Sequence, residues 1–194
     1  MPDIETLSKE LIALEKQGES LSEFGLIAQL DFAEFKKAIT NIEPKKVRAL
    51  RSVLHLFIDT TKARLNALQG LYDTINDLIG SVNSFFTNKY LTFDLTSGIK
   101  IYHNSGETID FSFLSSGEKQ LLLLFINTIT ATDQATIFII DEPEISLNIK
   151  WQRKLLNSLL RLSTKSQVQF MIATHSIELL APNVENVVKL EDQE

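Results

Sequence analysis

The chain contains no cysteine. This excludes disulfides and every metal site built on thiolates, and it fits a reducing cytoplasm. Long uncharged apolar stretches are missing too. The longest, Leu121 to Ile126, lies inside a helical pattern, so no membrane span is expected. The N-terminus, Met1-Pro2-Asp3-Ile4-Glu5, has neither the basic nor the apolar segment of a signal peptide. Nor is there an excess of positive charge. Nineteen Lys and Arg face 25 Asp and Glu, a net charge of −6, which argues against a chain that coats DNA by charge alone. The basic clusters are Lys36-Lys37 and Lys45-Lys46-x-Arg48-x-x-Arg51. A solvated helix face explains them more simply than a nucleic-acid contact.

What is there is globular composition, 44% hydrophobic and 23% charged over 194 residues. That is enough for one domain, or for a domain with a helical arm. Residues 1–89 read as helices. Leu7, Leu11 and Leu14 recur at helical spacing, and Gly18 is expected to end that run. Leu21, Phe24, Ile27 and Leu30 predict a second helix continuing through Phe35. Asn41, followed by Pro44, opens a third and long one over 44–89. With Val47 as heptad position a, the a series is Val47, Leu54, Thr61, Leu68, Ile75 and Val82. The d series is Leu50, Phe57, Arg64, Leu71, Leu78 and Phe85. Only Thr61 and Arg64 among these are not apolar, so the stripe is either a coiled-coil-like seam or one buried face of an ordinary long helix. Either requires a partner helix.

The pattern changes near residue 90. Strand-like Tyr90–Leu95, Ile99–His103 and the alternating Ile109, Phe111 and Phe113, separated by Ser-Gly turns, predict a small antiparallel meander. From Leu114 helices and short apolar strands alternate. The strands are Thr136–Ile140, Val168–Ala173 and a last one over Asn186–Leu190. Such alternation implies an α/β fold, a parallel sheet flanked by helices with its strands buried. The domains expected are therefore a helical arm over 1–89 and an α/β lobe over 90–194.

Three short segments carry chemistry. In Ile137-Phe138-Ile139-Ile140-Asp141-Glu142, two carboxylates emerge at the C-terminal end of an apolar strand, where open α/β sheets bind ligands. Asp141 is placed to orient a hydrated Mg²⁺ and Glu142 to polarise water for attack on a phosphate. Leu114-Ser115-Ser116-Gly117-Glu118-Lys119-Gln120 opens the preceding helix. Its N–H groups and hydroxyls can receive an anion, although Ser115 and Glu118 also have the spacing of a plain capping box. Ile172-Ala173-Thr174-His175-Ser176 puts a histidine at the end of the next strand, able to donate to a phosphate oxygen.

The order LSSGEKQ, IFIIDEPEISLNIKWQ, ATHS resembles the C-terminal half of ABC-type ATPases over about residues 85–190. The nearest branches in pattern are the SMC-like chromosome and DNA-repair ATPases and the bacterial AAA-family ATPases related to overcoming-lysogenisation-defect (OLD) proteins. The resemblance implies an ATP- and Mg²⁺-dependent ATPase head with a signature motif, a Walker B strand with its D-loop, and a switch histidine. It makes Ser115, Ser116 and Gly117 the residues that meet the γ-phosphate of ATP held by an opposite subunit. It makes Asp141 the metal residue, Glu142 the catalytic glutamate, Ile145 to Asn148 the D-loop with Asn148 near nucleotide, and His175 the switch histidine. Trp151 belongs to packing rather than chemistry. Ser116 stands where many relatives have Gly, and Asn148 where Asp or His is usual.

No G-x-x-x-x-G-K-[ST] phosphate loop occurs, and none of the seven glycines precedes a lysine. The resemblance therefore implies a descending helical arm plus the second lobe of a head, with the Walker A lobe supplied elsewhere. The partners it implies are that lobe, a second head in a homodimer or composite dimer, and DNA with a nuclease, in repair or anti-phage defence. A non-catalytic dimerisation or partner-binding module derived from such an ATPase is the alternative, and a transporter subunit fits the long seam poorly. Because the phosphate loop normally supplies most phosphate affinity, the purified chain is expected to bind Mg-ATP only weakly. Calorimetry checks this, and a micromolar dissociation constant would contradict it.

Overall fold

The computed structural model describes residues 4–40, 44–131, 135–164 and 166–189. In chain order these form α1 (Ile4–Glu23), α2 (Ala33–Thr40), α3 (Val47–Phe85), β1 (Lys89–Asp94), β2 (Gly98–His103), β3 (Thr108–Ile109), α4 (Ser116–Thr130), β4 (Thr136–Asp141), α5 (Ile149–Leu162), β5 (Val168–Ala173) and α6 (Ile177–Leu180). The fold is α/β: a long helical region, a small three-stranded sheet ordered β1-β2-β3, and a parallel pair β4-β5. The chain divides into two compact units, Met1–Ile75 with Phe93–Ile99, and Asn76–Thr92 with Lys100–Glu194, so α3 contributes to both.

In the first unit, α1 and the first part of α3 share a core of Leu7, Leu11, Leu14, Leu21, Leu54, Ile58 and Leu65. Gly18 does not end α1, which runs on to Glu23. The missing side chain serves close packing instead: a Cβ there would lie 2.7 Å from Leu30 Cδ1. The helix stops at Gly25, whose φ of +68 favours glycine. No helix forms over residues 24–32. Ile27 and Phe32 enter the core from an irregular segment, and the Glu15 carboxylate accepts from Phe32 N at 2.9 Å. Asn41 lies outside the described residues. Pro44–Lys46 form a 3-10 turn that leads into α3.

The seam on α3 differs from a strict heptad. The a positions Leu54, Ile75 and Val82 are buried. Along the first half the companion stripe runs through Ile58 and Leu65, one residue after the expected Phe57 and Arg64. Arg64 is exposed, and Leu71 is 49% exposed. From Leu78 the stripe returns to the expected d positions, Leu78 and Phe85. A straight helix has 3.6 residues per turn, so a 3.5-residue pattern drifts around it. In the first unit the stripe packs with α1, and in the second its last member, Phe85, meets Phe125 of α4 and Trp151 of α5.

In the second unit, β2 pairs antiparallel with β3, Ile101 opposite Ile109. The third strand is only Thr108–Ile109; Phe111–Phe113 form a 3-10 turn capped by Asp110 and leave Phe113 exposed. Alternation of Phe111 and Phe113 thus comes from a turn, not a strand. β4 and β5 run parallel, in register from Thr136↔Val168 to Asp141↔Ala173. These strands are not buried on both faces. Ile140 is buried and Phe138 stacks on Phe170, but Ile137, Ile139 and Met171 are 61%, 75% and 57% exposed. α4 and α5 pack together, and Phe85 meets the rings of Phe125 and Trp151. The last expected strand is absent among the described residues: Ala181–Asn186 are 3-10, residues 187–189 are irregular, and Leu190 lies outside the described residues.

The corrected seam is testable. Leu65→Asp puts an unpaired charge at a buried position and should cost roughly 3 kcal/mol or more. Leu71→Asp, on the same helix but exposed, should change stability by less than about 0.5 kcal/mol. Urea denaturation of the two variants separates a buried stripe through Leu65 from the strict heptad that would bury Leu71.

Candidate functional site

Parallel pairing ends β4 and β5 at one level, because Asp141 stands opposite Ala173. The residues that follow each strand therefore emerge side by side. Asp141 is exposed. Glu142 has a φ of +45, a left-handed conformation that a non-glycine residue rarely adopts. Its N–H donates to Ala173 O at 2.8 Å, which fixes this turn to the neighbouring strand. The Glu142 carboxylate comes within 3.9 Å of His175 Nε2, too far for a direct hydrogen bond. The His175 ring is otherwise open to solvent, its side chain 93% exposed.

Ser115 caps α4. Its Oγ accepts from Glu118 N at 3.3 Å, and the Glu118 carboxylate accepts from Ser115 N at 2.8 Å and Ser115 Oγ at 3.0 Å. The capping box is thus real, and it coexists with exposure of Ser115 and Ser116 at the helix N-terminus, where backbone N–H groups and the helix dipole favour an anion. Glu118 is pinned from the other side by Lys89 Nζ at 3.0 Å. Burial opposes its ionisation, but the hydrogen bonds from Ser115 and Lys89 prevail and hold its carboxyl below the ordinary glutamate value. Lys89 carries no signal in the sequence, because it lies 29 residues from Glu118 and only the fold joins them.

Gly117 is buried for a local reason. A Cβ on it would collide with the backbone carbonyl of Ser146 and press on Leu147. Ser146 is itself left-handed, at φ +69. The segment after β4 therefore folds back over the start of α4, and Gln120 Nε2 donates to Pro143 O at 3.3 Å. Asn148 caps α5, its side chain accepting from Trp151 N at 3.0 Å. The expected residues thus gather in two contacting groups of this unit: Gly117 with the loop Ser146–Leu147, and Glu142 with His175.

One carboxylate outside the expected set is tied into the same end of the sheet. Glu144 Oε1 accepts from Thr174 Oγ1 at 2.6 Å, His175 N at 3.0 Å and Ser176 N at 3.1 Å. Burial raises its pKa, and the bonds from Thr174 and from backbone N–H groups, those of His175 and Ser176 among them, more than offset this and lower it. Its sequence signal was a third acidic residue in Asp-Glu-Pro-Glu, hidden by the stronger pair before it.

A family model, "AAA domain, putative AbiEii toxin, Type IV TA system", matches residues 5–181. The chain belongs to this AAA family. It is also similar to the DNA double-strand break repair Rad50 ATPase of Sulfurisphaera tokodaii, 28% identical over 151 residues, which are 75% of this chain and 17% of that protein. The protein of the same description from Sulfolobus acidocaldarius is 27% identical over 146 residues, 72% of this chain and 16% of its own. The chain thus spans about one sixth of the length of these curated relatives. Membership and likeness together place it among SMC-like, ABC-type AAA ATPases, as its motif order implies.

The Glu118 pair sets a pH dependence. A carboxyl whose folded pKa is lowered stabilises the fold fully above its ordinary value of 4.5 and loses that contribution as pH falls through the folded value. Glu118→Gln should cost about 2 kcal/mol at pH 7, by weakening the cap and leaving Lys89 without its ionic partner. The gap from the parent should narrow steadily below pH 4.5. Urea titrations at several pH values measure it.

Proposed function

We propose that this chain is the second lobe and arm of an SMC-like ATPase head. Residues 90–194 form the lobe and residues 1–89 the arm. A Walker A lobe outside this sequence completes the ATP site, and two heads close on ATP as a homodimer or composite dimer. The observation that carries the reading is the pairing of Glu142 with His175 beside an exposed Asp141 at one end of β4-β5. The open apolar face of Ile137, Ile139 and Met171 supports a covering lobe, since parallel sheets are ordinarily covered on both faces.

The residues fit the groups the family uses. No cluster of three or more His, Cys, Asp or Glu gathers among the described residues. Mg²⁺ does not need one: it binds through one or two carboxylates together with water and phosphate oxygens, and an exposed Asp141 supplies such a ligand. Bound there, the ion would neutralise charge on the phosphates. Glu142 acts as the base that orients and deprotonates the attacking water, and His175 donates to the γ-phosphate. Ser115, Ser116 and Gly117 present an anion-binding helix start to ATP held by the opposite head, and Asn148 approaches the same nucleotide from the D-loop. The likeness to DNA double-strand break repair ATPases supports a role in DNA repair; a cytoplasmic setting, anti-phage defence as the other role, and DNA with a nuclease as partners belong to the same proposal. Lys36 and Lys37 pair with Glu15 and Glu34.

The test uses this chain reconstituted with its Walker A lobe, read by phosphate release and by sizing chromatography with ATP. Glu142→Gln should lower turnover on the order of a hundredfold or more while trapping a closed dimer. Asp141→Asn should weaken Mg-dependent nucleotide binding as well as rate. Ser115→Arg should leave nucleotide on single heads and block closure. Parental turnover by Glu142→Gln would replace this reading with that of a non-catalytic dimerisation module.

A further inference from the structure

The turn that carries His175 is fastened by its backbone while its ring stays in solvent. Three donors of that turn converge on one oxygen of Glu144: Thr174 Oγ1 at 2.6 Å, His175 N at 3.0 Å and Ser176 N at 3.1 Å. Glu144 sits at the start of the loop that closes over Gly117. A second tie runs beside it. Gln152 Nε2 donates to Leu147 O at 2.8 Å in that loop, and Gln152 Oε1 accepts from Ser176 Oγ at 2.8 Å in the histidine turn. The loop after β4 and the turn after β5 are therefore held to each other by side chains at both ends. Hydrogen bonds to an ionised acceptor are stronger than neutral ones, so the Glu144 tie is the firmer of the two.

From this geometry we infer that Glu144 is a positioning residue, assisted by Gln152, that makes the D-loop and the His175 turn move as one body. The inference rests on the ATPase reading for its consequence but not for its existence. Its physical content is local: among the described hydrogen bonds Glu144 alone accepts from the His175 amide, and it shares the Ser176 amide with Thr174 Oγ1 at 3.0 Å. If a partner head displaces the D-loop, the histidine is displaced with it. His175 can thus be brought to, or withdrawn from, a phosphate by an event at the head interface. Glu144 itself touches neither nucleotide nor water in this scheme.

The first measurement needs no nucleotide. Amide hydrogen exchange by NMR on the full chain should show the His175 amide exchanging about tenfold faster, or more, in Glu144→Ala, with a smaller change at Ser176, whose amide also donates to Thr174 Oγ1. Core amides such as that of Leu155 should be unchanged. Glu144→Gln should stay near the parent, because its amide oxygen can take the place of Oε1; Oε2 has no hydrogen-bond partner to lose among the described residues. If Glu144→Ala does not fold, Thr174→Val tests the same tie by deleting its shortest bond, with faster exchange expected at His175, whose amide donates to Glu144 alone; Ser176 is no readout there, because its amide also donates to Thr174 Oγ1. Unchanged exchange in the folded Ala variant, or in Thr174→Val where that variant replaces it, overturns the inference. So does a Gln variant no better protected than Ala. In the reconstituted head, Glu144→Ala should lower kcat by about ten- to a hundredfold with KM for ATP within about twofold, and Glu144→Gln should restore most of it. Faster exchange with parental kcat overturns the positioning role and leaves the ATPase reading standing. A parent head without ATP turnover overturns the ATPase reading, while the exchange rates still decide whether the tie exists.

Discussion

The site depends on one pairing, the parallel register that sets Asp141 opposite Ala173. Two apolar strands ending at one level force the segments after them to emerge together, so residues thirty-odd positions apart meet without a special device. Glu142 reaches His175, and Glu144 reaches the backbone of the same turn. A shift of the strands by one residue would turn every side chain to the opposite face and separate these groups. The left-handed conformations of Glu142 and Ser146 are tolerated because hydrogen bonds to Ala173 O and from Gln152 to Leu147 O fix the segment around them.

Around this pairing the helices act as rigid supports. Phe85, near the end of α3, meets the rings of Phe125 and Trp151, so one aromatic side chain touches both helices that flank the loops of the site. Trp151 therefore serves packing, and Asn148, just before it, serves the start of α5. Lys89 restrains the start of α4 through Glu118. The first turn of α4 is in this way held by the Glu118 carboxylate, which joins Ser115 at its cap to Lys89.

Much of this was legible in the residues themselves. Apolar runs that end in Asp141-Glu142 and in Thr174-His175 announced the strand ends, and β4 and β5 do end at Asp141 and Ala173; the burial expected of such runs holds on one face only, with Ile137, Ile139 and Met171 exposed. The Ser115-to-Glu118 spacing announced a capping box, and the box is present. What the residues concealed has physical causes. Gly18 looked like a stop, but a glycine inside a helix can equally make room for a neighbour, here Leu30. Phe111 and Phe113 alternate as a strand would, yet Asp110 accepts from Ser112 N and winds them into a turn. Arg64 and Leu71 fell on a heptad grid that a straight helix does not keep. Lys89 and Glu144 act through partners about thirty residues away, and no local pattern encodes such a distance.

A sheet of two strands has no interior: both β4 and β5 are edges among the described residues. Each carries an outward row of backbone N–H and C=O groups, and the face between them bears Ile137, Ile139 and Met171 in solvent. An edge of that kind is a template for any extended chain that comes near. Left uncovered, such an edge can pair with an extended segment of another copy, and that encounter quickens as concentration rises.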